Sequence, residues 1–152
     1  MLSAITSPIA IALLALIQVQ ETDDMFCLTS RAFGKTYKSR MAHDALLNSP
    51  TWDKEKADIP PVSPRKAIRL AEKMRNSVVK APDDWEWHTV DLHLFLEGDH
   101  CVWHATFQAM PIEPAAGLVP RHEEVTLIVL MDGTVIEPVV SNDEDGDKKS
   151  QD

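Results

Sequence analysis

Residues 92–107 read LHLFLEGDHCVWHATF, and the two-residue turn in the middle constrains the chain more than any other feature. A Gly-first pair, Gly98-Asp99, fits a type II′ hairpin turn, whose length fixes the pairing of the strands on either side. Glu97 then faces His100, Leu96 faces Cys101, Leu94 faces Trp103, His93 faces His104 and Asp91 faces Thr106. In this register one face collects Val90, Leu92, Leu94, Leu96, Cys101, Trp103, Ala105 and Phe107. The other collects Asp91, His93, Phe95, Val102, His104 and Thr106. A slip of one residue would mix the two sets, so the pattern supports the register.

The register sorts the chemistry. Cys101 points to the apolar face while His104 and His100 point away from it. A thiol nucleophile needs a base within hydrogen-bond reach, so this stretch carries no Cys–His catalytic pair. His93 and His104 lie opposite each other, with Cβ atoms roughly 5 Å apart, and Asp91 lies on the same face. Two imidazoles and a carboxylate form a candidate metal set of Asp91, His93 and His104, suited to zinc or copper. The set is incomplete unless His88 or His122 approaches. Two facing histidines also repel once both are protonated, so this face should loosen as pH falls through the imidazole range.

A second hairpin is signalled by Asp132-Gly133 within VLMDGTVIEP. As a two-residue turn it sets Met131 against Thr134, Leu130 against Val135 and Val129 against Ile136. The strand at 124–131 is apolar on both faces, which implies cover on both sides or an interaction surface. Pro138 places the strand at 134–140 on an edge, open to pairing with a partner.

Upstream, Ser63-Pro64 opens a helix, with Ser63 as cap and Pro64 where its missing N–H matters least. Ala67, Leu70, Ala71, Met74 and Val78 form its apolar face, and Arg65, Lys66, Arg69, Lys73 and Arg75 the opposite, basic face. Residues 48–62 read as Pro-rich linker pinned by Trp52. Positions 33, 37, 41 and 45 recur at i+4, a loose helical stripe. Residues 1–20 carry no charged side chain and include an unbroken apolar run at 9–17. That length suits a secretory signal better than a membrane span; an uncleaved anchor and a buried helix are the alternatives.

Together these give an α+β fold with one main helix on a four-stranded antiparallel sheet made of two hairpins. The expected segments are a signal or apolar helix at 1–20, a helical arm and linker at 21–61, the α+β domain at 62–140 and a disordered acidic tail at 141–152. A net charge of −9 argues against nucleic acid and anionic membranes as partners, leaving membrane contact to residues 1–20 if the signal is uncleaved. The two cysteines, Cys27 and Cys101, are no disulfide framework, though an exported chain has one bridge open to it.

The capped helix from Ser63-Pro64 to Ala71, the Trp-bearing hairpin and the run VLMDGTVI at 129–136 resemble a PepSY-type domain over 62–140. The whole chain also looks like small exported proteins of planctomycete bacteria. The PepSY resemblance implies a helix packed on antiparallel strands in the cystatin-like manner, and a secreted or periplasmic setting. It further implies a protein- or peptide-binding role, including protease regulation, with no catalytic residues and no cofactor. The expectation is therefore an exported, non-catalytic domain binding a protein or peptide through a sheet edge and a helix groove, with a periplasmic metal-binding protein as the alternative.

Overall fold

The computed structural model describes residues 24–113 and 122–142. The element order is β1 (Asp24–Ala32), β2 (Lys35–Ala42), α1 (His43–Leu47), α2 (Pro64–Val78), β3 (Trp85–Glu97), β4 (His100–Pro111), β5 (Glu123–Leu130) and β6 (Val139–Asn142). The strands form two antiparallel three-stranded sheets, ordered β1-β2-β6 and β3-β4-β5. This replaces the expected single four-stranded sheet under one helix.

The helical arm expected around residues 25–47 is instead the β1/β2 hairpin followed by the short α1. A spacing of four residues fits a period of two as well as 3.6. Along β2 it is the two-residue period that holds: Tyr37, Ser39 and Met41 are buried, while Lys35 and Arg40 are exposed. Phe33-Gly34 makes the turn, with φ of 51° and 70°, the paired positive values of a type I′ turn.

The second correction concerns the chain after β5. Leu130 N–H donates to Thr134 C=O and Gly133 N–H to Leu130 C=O, enclosing a three-residue loop. Gly133 takes a φ of 94°. Val129 therefore faces Val135, one residue away from the register a two-residue turn would give. The expected strand at 134–140 breaks at Pro138, which has no N–H to continue a ladder. The chain then leaves for the other sheet, where β6 pairs Tyr37 with Val140 and Lys38 with Val139. Ser141 and Asn142, expected in the tail, belong to this strand. The expected signal at 1–20, residues 114–121 and the rest of the expected tail lie outside the described residues.

The β3/β4 hairpin has the register set by Gly98-Asp99, from Glu97 opposite His100 to Asp91 opposite Thr106. A bulge between Thr89 and Asp91 then shifts the ladder. It turns Val90 out to solvent instead of onto the apolar face, and brings Trp85 and Trp87 onto the helix side.

Helix α2 covers that side. Ser63 Oγ accepts from the Lys66 N–H at 3.4 Å. Ala67 and Ala71 are fully buried, and their small side chains let the helix sit close to Cys101, Trp103, Ala105, Phe107, Leu127 and Val129. Trp103 Nε1 donates to Val62 C=O at 2.8 Å, and Trp52 N–H donates to Asp99 C=O at 2.8 Å, tying the linker to the hairpin turn. The opposite face of β4 and β5 is covered too. Val102, Ile128 and Leu130 pack with Met41 and Leu46, flanked by Phe26 and Leu28 of β1. The both-sided hydrophobicity of β5 is therefore core.

The β1/β2 hairpin clasps the β5 side of the second sheet. Its base meets one face, while Ala32, Phe33 and Tyr37 at its tip join the core on the helix side. Phe33 N–H donates to the buried Glu123 carboxylate at 3.0 Å. The Phe33 ring meets Trp85 and Trp87 edge-on, at centroid distances of 5.1 and 6.0 Å. A non-glycine residue in left-handed backbone costs roughly 1–2 kcal/mol. A hydrogen bond to a charged group contributes about 1.5–3 kcal/mol, so the Glu123 contact is of the size needed to offset the strain.

Candidate functional site

The β3/β4 hairpin carries the candidate residues. In a two-residue hairpin the residues flanking the turn form a hydrogen-bonded pair, and such pairs recur at every second position. Glu97, Phe95, His93 and Asp91 therefore direct their backbone groups at β4. Leu92, Leu94 and Leu96 direct theirs outward, away from the sheet.

His93 and His104 do face each other across the ladder, and Asp91 is two pairs further along, on the same face. Their surroundings differ. His93 and Asp91 are exposed. His104 is half-buried beneath β1, edge-on to Phe26 at 5.2 Å and stacked on Phe95 at 6.0 Å. Phe26 and Phe95 meet edge-on at 4.4 Å. Nε2 of His104 is buried with no hydrogen-bond partner, as is Nδ1 of His100 beside the turn. Burial, reinforced by His93 across the ladder, pulls the His104 pKa below its usual value, while Asp91 pulls weakly the other way. His88 lies 3.9 Å from Glu86 and His122 is exposed beside β5. Among the described residues no three His, Cys, Asp or Glu side chains are grouped to hold a metal ion. Cys101 is buried and Cys27 exposed, both as free thiols. Burial raises the Cys101 pKa, with Lys54 opposing, which leaves that sulfur poorly nucleophilic at neutral pH.

Two features were not visible in the sequence. Arg75, expected on the basic outer face of α2, is only 8% exposed. Its guanidinium lies over Phe107 at 4.6 Å and Trp87 at 4.9 Å and donates to Asn76 Oδ1. Its pKa is lowered by burial, with Glu72 opposing. Its position in the last turn, beside apolar Met74 and Val78, was the available signal.

The second feature is the contrast between the two edges of the β3-β4-β5 sheet. At β5, Thr126 N–H donates to Ser30 Oγ at 3.2 Å. Ile136 N–H donates to Ile128 C=O and Leu130 N–H to Thr134 C=O. That edge is closed. At β3, among the described residues, no backbone or side-chain group bonds to the outward groups of Leu92, Leu94 or Leu96. Leu96 and Val90 beside them are 44% and 45% exposed.

Among the described residues no helix is long and apolar enough to cross a membrane. No family model, curated protein or solved structure matches the chain.

Proposed function

We propose that this chain is a non-catalytic, exported binding module that takes an extended segment of a partner protein onto the outer edge of β3. The open edge of β3, opposite a closed β5 edge, supports this reading. Leu92, Leu94 and Leu96 offer six backbone groups in register, which is the requirement for strand addition. The bulge at Val90 confines pairing to residues 91–97, since a bulge twists the ladder and interrupts it. Six strand hydrogen bonds at about 1 kcal/mol net each do not overcome the cost of association by themselves. Contacts to Val90 and Leu96 must supply the rest, so affinity should be micromolar or weaker.

The test places a photo-crosslinking amino acid at Val90 in the producing cells. A discrete adduct is expected, and Leu96→Pro should abolish it by removing an outward N–H while sparing the bonds to β4. An adduct that persists in the Leu96→Pro background, or no adduct at all, would sink the proposal.

A metal ion held by the His93/His104 pair, without Asp91 grouped beside it as a third ligand, is the second reading, favoured by the unpartnered Nε2 of His104 opposite His93. Titration with zinc and with copper, repeated on the His93→Ala/His104→Ala double variant, decides it. Unchanged binding in the double variant would eliminate this site.

A further inference from the structure

We propose that the outer face of α2 is a second binding surface, for an extended acidic peptide whose carboxylates fall at alternate positions and whose last apolar side chain enters the groove beside Lys73. The surface is distinct from the β3 edge, and the two stand or fall separately.

Charge is the first observation. The chain has a net charge of −9, yet α2 exposes Arg65, Lys66, Arg69 and Lys73 with only Glu72 among them. Among the described residues none of these four cations makes an ion pair. Arg65, Arg69 and Lys73 follow one another at i+4, where like charges destabilise a helix by roughly 0.2–0.5 kcal/mol per pair. A solvated helix face commonly mixes signs at this spacing. A single-sign stripe on an acidic protein is relieved when carboxylates cover it.

Spacing is the second observation. Residues four apart on a helix are separated by about 6 Å along its axis. Alternate residues of an extended strand repeat at roughly 6.6 Å. Three carboxylates at alternate positions of an extended peptide therefore meet Arg65, Arg69 and Lys73 in succession. The whole stripe is only about 12 Å long, which suits a few residues of peptide. A nucleic acid would extend well beyond it, over a molecule whose net charge repels it.

The third observation is where the stripe ends. Lys73 lines a groove of about 250 Å³ with Leu70, Met74, Ser77 and Val135. Small-molecule sites start at roughly 300 Å³, so this groove suits a single apolar side chain. Ser77 Oγ already donates to Met74 C=O at 2.6 Å, leaving the groove predominantly apolar. It runs alongside the helix from Leu70 to Ser77, at the C-terminal end of the stripe, within reach of an apolar side chain that follows the last carboxylate.

The probe is an acetylated, amidated peptide, Glu-Ser-Glu-Ser-Glu-Ser-Leu, together with its reverse sequence, because the stripe does not fix chain direction. Titration against the full chain by fluorescence anisotropy should show saturable binding of one of them that weakens as salt rises from 50 to 300 mM. Arg69→Glu/Lys73→Glu should reduce affinity at least tenfold while leaving the circular dichroism spectrum and Tm unchanged. A Lys-Ser-Lys-Ser-Lys-Ser-Leu peptide of the same direction should bind that variant, which shows that the surface is still formed. The composition isomer Glu-Glu-Glu-Ser-Ser-Ser-Leu and the Leu-to-Ser peptide should each bind several-fold more weakly. No saturable binding up to millimolar peptide would overturn the proposal. So would undiminished binding to the double variant, equal binding of the isomer, or a twelve-nucleotide oligothymidylate binding as tightly as the peptide.

Discussion

His104 and Arg75 are polar side chains that the fold encloses in aromatic surroundings, and each gives a measurable consequence. The fold favours neutral His104, so its pKa lies below the unfolded value of about 6.5. Its contribution to stability is complete above that pH and is lost as pH falls below it toward the folded pKa. His104→Leu removes both this titration and the unpartnered Nε2. Tm should then rise at pH 5 and fall less steeply between pH 7 and 5 than in the parent chain. An equally steep fall would show that the acid sensitivity lies elsewhere. Arg75 places its guanidinium over both the Phe107 and Trp87 rings, a pair of contacts that a compact ammonium does not reproduce. Removing a buried cation also removes its desolvation cost. Arg75→Met, which keeps the length of the stem, should therefore stay within about 1 kcal/mol of the parent. Arg75→Ala, which opens a void between the rings, should lose about 2–3 kcal/mol. Urea unfolding of both variants separates packing from charge.

At the scale of elements, β3 is a long edge strand interrupted by one extra residue. Asp91 pairs with Thr106 and Thr89 with Phe107, so deleting Val90 joins two ladder segments whose faces already agree. The deletion should be tolerated within about 1 kcal/mol, and it lengthens the straight edge. Because bulges protect edges from pairing, sedimentation should show stronger concentration-dependent self-association in the deletion variant than in the parent chain. How far each element could be read in advance follows from its periodicity. The β3/β4 pairing was legible because Gly98 fixes the turn and both strands alternate cleanly, and that placed His93 opposite His104. The helix α2 was legible from its cap and apolar stripe. The hairpin β1/β2 was not, because spacing by four satisfies two periods at once, and Phe33-Gly34 is an unusual pair for a turn with two positive φ angles. The bulge at Val90 was hidden too, since Thr89 and Val90 leave the alternation of apolar residues ambiguous at that point. The cover that Phe26 places over His104 comes from a distant segment, and no local pattern announces it.

At the scale of the whole molecule, the β1/β2 hairpin is part of the core. Met41 packs with Val102 and Ile128 on one face, and Tyr37 joins the helix-side core on the other. Urea transitions followed by tryptophan fluorescence and by far-ultraviolet circular dichroism should therefore coincide. Separate transitions would mean that the hairpin unfolds independently of α2 and the β3-β4-β5 sheet. The clasp also explains the asymmetry on which the proposed function rests. Ser30 and the return through Ile136 close the β5 edge, and among the described residues nothing closes β3. Residue-resolved amide hydrogen exchange on the isolated chain tests this most directly. The amides of Leu92, Leu94 and Leu96 should exchange rapidly, at rates close to those of an unstructured peptide. Those of His93 and Phe95, bonded to β4, should be strongly protected. Equal protection of all five amides would mean that the β3 edge is already occupied, and would contradict the account.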